Sequence, residues 1–398
     1  MKTKQTFLPY AQPDIGQEEV DAVTKCLLSG WLTTGQQCNA FEAEFARRLG
    51  DDVMCVAVNS ATAGLHLALE ALGVSEGDEV ITTVHTFTAT AEVVRYMGAN
   101  PVFVDADPHS LCIDVNAIEE KITSKTKVIL PVHFGGLAAD MDPIIELAKR
   151  YQLHVVEDAA HSLPATYNGT NVGSLATDAT IFSFYANKTM TTGEGGMLAT
   201  RDRALYERAK LMRLHGMNKV AHDRYASSVP AWYYEVVAPG FKYNLTDLAA
   251  AIGLQQLKKL DAMHQRRAEI AAMYNELLEN CPLTLPARPR NEDIHSWHLY
   301  VIRLKEGGED ARNKLIETMF AEGIGASVHY IPLHMQPYWR DTYKLKATDF
   351  PNSQAAYEGS VSLPIYNRMT DEDVLRVVNV LRTFFGVSNG QGSGSFQA

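Results

Sequence analysis

The sequence predicts an α/β protein: a large part built on a mixed, mostly parallel seven-stranded sheet, then a smaller C-terminal α+β part. Three observations predict it. Seven short apolar runs punctuate the first 200 residues, at Val53–Val58, Glu79–Thr83, Pro101–Asp105, Lys127–Val132, His154–Asp158, Thr180–Phe184 and Gly196–Thr200. Amphipathic stretches separate several of them, and strands alternating with helices pair in parallel through crossovers. Beyond residue 246 the pattern changes to one long helix and a short mixed unit.

The elements follow in order. Phe41, Phe45 and Leu49 recur at helical spacing and stop at Gly50, a natural C-terminal cap. Residues 62–72 form a second helix that ends at Gly73. From Thr246 to Asn280 only Gly253 weakens the helical pattern, and a helix of that length links two domains. A strand (Trp297–Leu304), a helix (about Asp310–Glu322) and a strand (Gly325–Tyr330) come next. The last helix opens on a capping box, Thr370 to Asp373, and turns Val374, Val377, Leu381 and Phe384 inward. The expected division is residues 1–250, residues 251–388 including the linking helix, and a tail at 389–398 of disordered composition.

Composition narrows the function classes. The 398 residues are 46% hydrophobic and 21% charged, with a formal net charge of -11. Such a balance disfavours general nucleic-acid binding, which needs a basic surface, but permits a small anionic ligand. The cysteines (Cys26, Cys38, Cys55, Cys112, Cys281) are odd in number and scattered. That pattern points to reduced thiols and a cytoplasmic location. No segment reaches the ~20 apolar residues of a membrane span, and the start, MKTKQTFLPYAQPDIG, lacks a leader-like apolar stretch.

Three segments at strand ends carry chemistry, where open α/β sheets bind ligands. Asn59-Ser60-Ala61-Thr62-Ala63-Gly64 joins a strand to a helix. Small residues and a free helix N-terminus suit a phosphate there, although an ordinary capped turn would look similar. Asp158 ends a buried strand, where a carboxylate needs a cation or several donors. A protonated pyridine nitrogen is such a partner; a helix cap is the competing explanation, and a metal ligand a weaker one, since only His161 lies at chelating spacing. Lys188 follows a strand and precedes Thr189-Met-Thr-Thr-Gly193-Glu-Gly-Gly196. A lysine that attacks an aldehyde needs a lowered pKa and room to swing, whereas a solvated loop lysine needs neither. The chain order of phosphate turn, acid and lysine favours the first reading.

The wording of these segments resembles the fold-type I pyridoxal 5'-phosphate (PLP) enzymes, and among them the DegT-type sugar aminotransferases. The resemblance rests on SGWLTTG (29–35), NSATAGLHLAL (59–69), GDEVITT (77–83), VHFGG (132–136), VEDAAH (156–161) and FSFYANKTMTTGEGG (182–196). LHGM (214–217), GFKYNLTDLAAAIGLQQL (240–257) and SLP (362–364) continue it in family order. It implies that Lys188 is the Schiff-base lysine and Asp158 the partner of the pyridine nitrogen. Phe87 would stack on the ring, His161 lie beside the ring hydroxyl, and Thr62, Ala63 and Ser183 hold the phosphate. Asn244 would reach the neighbouring subunit's phosphate site, implying a homodimer with shared sites. Trp31, Thr33, Tyr185 and His329 would line the substrate pocket.

The implied reaction moves the amino group of L-glutamate onto a 4-keto nucleotide-linked sugar for surface-polysaccharide, lipopolysaccharide or glycan synthesis. Residues 191–196 are similar to members that aminate C4, and VHFGG, PGFKYNLTD and SVHY to those using UDP-linked sugars. Alternatives are a keto-sugar acid without nucleotide, a PLP-dependent sugar dehydratase, or a non-catalytic PLP-binding regulator. Dehydratases of the family replace the lysine by histidine, which Lys188 disfavours. Of the other histidines, His66 is expected to be packed, and His133 to line the pocket or make a structural hydrogen bond. His295 and His298 flank Trp297 in a strand pattern that disfavours a metal pair, and no metal is expected.

Overall fold

The computed structural model describes residues 6–218, 232–290 and 292–387, so the expected tail lies outside the described residues. Helices α1 (Gln17–Ser29) and α2 (Gln36–Leu49) precede strand β1 (Met54–Val58). Then come α3 (Ala61–Ala71), β2 (Glu79–Thr83), α4 (Ala89–Tyr96), β3 (Asn100–Val104) and β4 (Thr126–Leu130). Helix α5 (Met141–Tyr151), β5 (His154–Asp158), the small hairpin β6 (Thr166–Tyr167) and β7 (Thr170–Asn171), β8 (Ala179–Ser183) and β9 (Gly196–Thr200) follow. Helices α6 (Arg203–Met212) and α7 (Asp247–Leu277) close this part.

All seven apolar runs are strands of one sheet, in the order β1-β9-β8-β5-β4-β2-β3. β9 is antiparallel to both β1 and β8, while every other pairing is parallel. Six strands therefore end at the same edge. That edge gathers the turn after β1, the residues after β2 and β4, and the ends of β5 and β8.

The sheet's two faces are covered separately. On one, Leu65, Leu67 and Leu69 of α3 and Leu205 and Ala209 of α6 meet Val56, Val80, Val128 and Val156. On the other, Phe41 and Phe45 of α2 meet Phe182, Phe184 and Leu260. Burying a large apolar side chain contributes roughly 1.5–3 kcal/mol, so these two layers fix the strands that carry the site. Gly253, the weak point of the long helix, lies where Phe41 packs: a Cβ there would fall 2.8 Å from the ring. Helix α7 gives up propensity at that position to admit an aromatic.

In the C-terminal part, β10 (Leu283–Thr284), β11 (Tyr300–Leu304) and β12 (Ser360–Leu363) form an antiparallel sheet. Its core joins Ile270 and Tyr274 of α7 to Trp297, Tyr300, Val377 and Leu381. Helices α8 (Gly308–Ala321), α9 (Pro337–Tyr343), α10 (Pro351–Gly359) and α11 (Asp371–Phe384) complete it, and α11 carries the expected Thr370/Asp373 capping box. One strand was misplaced. Gly325–Tyr330 touches the sheet only where Ser327 pairs with Ser362, and β12 takes the third place. At its start Gly325 donates its N–H to Leu8 O (2.8 Å), and beyond its end Leu333 donates to Val84 O (2.9 Å), next to the large sheet.

Candidate active site

Asp158 stands at the end of β5, 6% exposed. Its Oδ2 accepts from Thr90 Oγ1 (2.8 Å) and its Oδ1 from the Ala160 N–H (3.1 Å). Burial raises its pKa, against the pull of those two donors and of the Lys188 charge. A carboxylate offers about four acceptor positions, so two donors leave it short of a partner.

Lys188 sits in a tight turn just beyond β8, where its N–H donates to Tyr185 O (3.0 Å). Thr191 braces the turn: its Oγ1 donates to Phe184 O (3.0 Å), and its N–H to Gln256 Oε1 on α7 (3.3 Å). Gln256 is itself held by Glu19 Oε1 (2.9 Å) of α1. Burial lowers the Lys188 pKa to about 8, against the opposing attraction of Asp158. Each of the two groups thus feels the other's charge.

The turn expected to hold a phosphate joins β1 to α3. Ser60 caps α3 by accepting the Ala63 N–H at Oγ (3.1 Å). First-turn amides have no intrahelical acceptor, so those of Ala61 and Thr62 remain available to a ligand. Gly196 lets β9 approach this turn, since a Cβ there would lie 2.7 Å from the Ala61 nitrogen. Ser183, half-buried and paired with Gly196 across the strands, stands beside it.

Aromatic and imidazole rings form the remaining wall. His161 is buried; its Nδ1 accepts from the Gly135 N–H (3.2 Å) and its Nε2 lies 2.9 Å from the Tyr330 hydroxyl. Tyr330 in turn faces Phe87, 58% exposed, with ring centroids 6.0 Å apart. His298 packs against His161 (centroids 4.4 Å). His329 bonds Ser362 Oγ through Nδ1 (2.8 Å) and stacks on Tyr10. Burial keeps His161 and His298 well below the usual histidine range and brings His329 down to about 4, and the Lys188 charge adds to each. Phe87 and Tyr330 open onto a cavity of about 670 Å³ that also meets Arg95, Tyr96, Tyr338 and Trp339.

Trp31 and Asn244 both bond Thr34. Trp31 Nε1 donates to Thr34 O (3.3 Å), and Asn244 Nδ2 donates to Thr34 Oγ1 (2.7 Å). Asn244 also accepts from Lys242 Nζ (2.6 Å) and bridges to Val58, next to the phosphate turn; Thr33 is exposed. Tyr185 is exposed beside Lys188. Sequence reasoning missed Thr90, Tyr330 and His298, which reach Asp158 and His161 only through folding. His133 makes the structural bond, to Glu157 Oε2 (2.9 Å), and His66 is packed against Phe241.

These residues fit pyridoxal phosphate: an anion cradle, an under-satisfied buried acid for the pyridine nitrogen, an amine of lowered pKa, and an exposed aromatic face. Fold and site together define a PLP-dependent transaminase. Residues 13–382 match the DegT/DnrJ/EryC1/StrS aminotransferase family, and the chain belongs to it. It is 46% identical over 378 residues to the spore coat polysaccharide biosynthesis protein SpsC of Bacillus subtilis (strain 168), covering 94% of this chain and 96% of SpsC. Streptococcus pneumoniae Spr1654, described as a sugar aminotransferase, is similar in its PLP-form, with a TM-score of 0.87 and 32% identity over 96% of this chain and 98% of that one. Helicobacter pylori PseC, an aminotransferase involved in the biosynthesis of pseudoaminic acid, gives a TM-score of 0.88 at 29% identity, over 96% and 100% of the two chains. The chain is a sugar aminotransferase of this family, and PLP is its cofactor.

Proposed function

We propose that the enzyme transfers the amino group of L-glutamate to C4 of a 4-keto sugar carried on a nucleotide, UDP in the first instance. The observation that carries the reading is the pairing of Lys188, lowered to about 8, with buried Asp158. The chemistry of relatives named for polysaccharide and pseudoaminic acid synthesis supports a surface-glycan sugar as acceptor. The cavity beyond Phe87, with Arg95 and four aromatic side chains on its wall, suits a ligand longer than the sugar alone.

Bound PLP supplies the electron sink for the proton shift. The amides of Ala61 and Thr62 and the hydroxyl of Ser183 would hold its phosphate. Phe87 would lie against its ring, and Asp158 would keep the proton on the ring nitrogen. Lys188 would hold the aldehyde and, as a free neutral amine, would take the proton from the donor's α-carbon and return one to the sugar carbon. Both tasks need a neutral amine, which burial favours.

Asn244, Trp31 and Thr33 complete a partner's site in a homodimer. Leu27, Leu28 and Leu32, 53%, 83% and 43% exposed beside Trp31, offer the apolar surface such a dimer would cover. Lys188 favours amination over dehydration of the sugar. The test converts the holoenzyme with L-glutamate, adds a panel of 4-keto nucleotide sugars, and reads product masses. An amino sugar from a UDP-linked substrate is expected. A deoxygenated product, or amination only of free keto-sugar acids, would overturn the reading.

A further inference from the structure

The hydrogen bonds around His161 settle its protonation and leave it no proton for a ligand. The Gly135 N–H donates to Nδ1 (3.2 Å), so Nδ1 carries a lone pair. Burial keeps the imidazole neutral, and its single proton is therefore on Nε2. Nε2 lies 2.9 Å from the Tyr330 hydroxyl, so this N–H donates to the phenol oxygen. Both nitrogens of His161 are spent within the protein.

Tyr330 is left with the opposite balance. Its oxygen accepts from His161, and burial holds the phenol protonated, with Tyr10 and Asp158 adding to the rise. Its own O–H is not used on His161. The side chain walls the cavity that Phe87 enters, with the rings 6.0 Å apart. The geometry points to Tyr330, not His161, as the donor to the phenolic oxygen of the cofactor ring, with His161 as the positioning residue behind it. An accepted hydrogen bond polarises the phenol and makes it a better donor. The other groups facing this pair are Phe134, His298 and His329, which carry no charge near neutral pH, and Lys188 and Asp158, which are the charged neighbours.

This inference rests on the assignment of PLP to the site and is independent of which sugar is aminated. Its test uses Tyr330→Phe, which keeps the ring, His161→Gln, and the double variant, each checked for an unchanged far-UV spectrum. The pH titration of the cofactor–lysine absorbance is followed, together with the PLP dissociation constant of the apoenzyme. A donor to the phenolic oxygen stabilises the deprotonated chromophore, so Tyr330→Phe should raise its apparent pKa by about one unit. PLP binding should weaken about tenfold in parallel. His161→Gln should move both readouts less, and the double variant no further than Tyr330→Phe, because the two act in series. A silent Tyr330→Phe beside a shifted His161→Gln would make His161 the direct donor and overturn the inference. Two silent variants would overturn it equally. Failure of PLP to form a chromophore with unaltered enzyme would instead remove the cofactor assignment itself.

Discussion

Glu157 and Asp158 are consecutive acids on one strand, and strand geometry sends their side chains to opposite faces of the sheet. Glu157 is fully buried and takes three donors: His133 Nε2 lies 2.9 Å from Oε2, and the hydroxyls of Thr177 and Thr180 each donate to Oε1 at 2.6 Å. His133 Nδ1 accepts the Ala139 N–H (3.0 Å), so the neutral ring carries its proton on Nε2 and donates it to Glu157. Asp158 has only Thr90 and Ala160 as donors, and faces Lys188. Two acids of similar burial thus serve different ends. The first ties β5 to the segment after β4 and to the start of β8. The other keeps two donors and lies in the field of Lys188.

The sharpest way to break this contrast is on the Asp158 face. Lys188→Ala should abolish transamination, by 10⁴-fold or more as an order of magnitude, since anchor and proton carrier leave together. The cofactor absorbance should vanish while the far-UV spectrum stays. Asp158→Asn should retain the bound cofactor but lower kcat roughly 10²–10⁴-fold, with Tm little changed. Glu157→Ala should do the reverse. It strands the His133 N–H and two threonine hydroxyls, costing about 2–4 kcal/mol of stability in urea unfolding, with kcat per folded molecule within about twofold. If Glu157→Ala lost activity at full stability, the two faces would not divide as described.

The pH dependence sharpens the same comparison. Lys188 has a folded pKa of about 8, below its ordinary value, because burial outweighs Asp158. The neutral amine therefore predominates above pH 8 and the ammonium below it. Capture of PLP by the apoenzyme should accelerate about tenfold per pH unit up to that point, then level off. In Asp158→Asn the midpoint should move down, since the charge favouring the ammonium is gone. A midpoint that stays put would mean the two groups do not share a field.

How much of this was legible beforehand follows the range of the interactions. The seven strands showed because each is a local apolar run, and the long helix because its period is local. Lys188, Asp158 and the phosphate turn showed because each lies at a strand end and their order along the chain carries the family pattern. Thr90 and Tyr330 did not show, because they reach Asp158 and His161 across 68 and 169 residues of sequence. The exchange of Gly325–Tyr330 for Ser360–Leu363 has the same cause. Both segments are short and of mixed polarity, and their partners, Leu8 and Val84 for one and β11 for the other, lie far away in sequence. His133 stayed undecided because its partner, Glu157, is on a neighbouring strand.

The smallest effect gives the finest test, because it changes one donor on each face by the same chemistry. Thr90→Val removes a hydroxyl from Asp158, and Thr180→Val removes one from Glu157; both sites are buried and both replacements keep the β-branched shape. One hydrogen bond to a charged group is worth about 1.5–3 kcal/mol before relaxation. On the Asp158 face the loss should raise that carboxyl's pKa further and cut kcat about three- to tenfold, because a bound pyridinium replaces much of the missing support. Tm should hardly move. On the Glu157 face no incoming cation compensates, so Thr180→Val should lower stability by about 1–2 kcal/mol and leave kcat unchanged. Urea curves and kcat measured on the same two proteins decide it. Equal losses of stability with no difference in kcat would mean that Asp158 is one more structural acid.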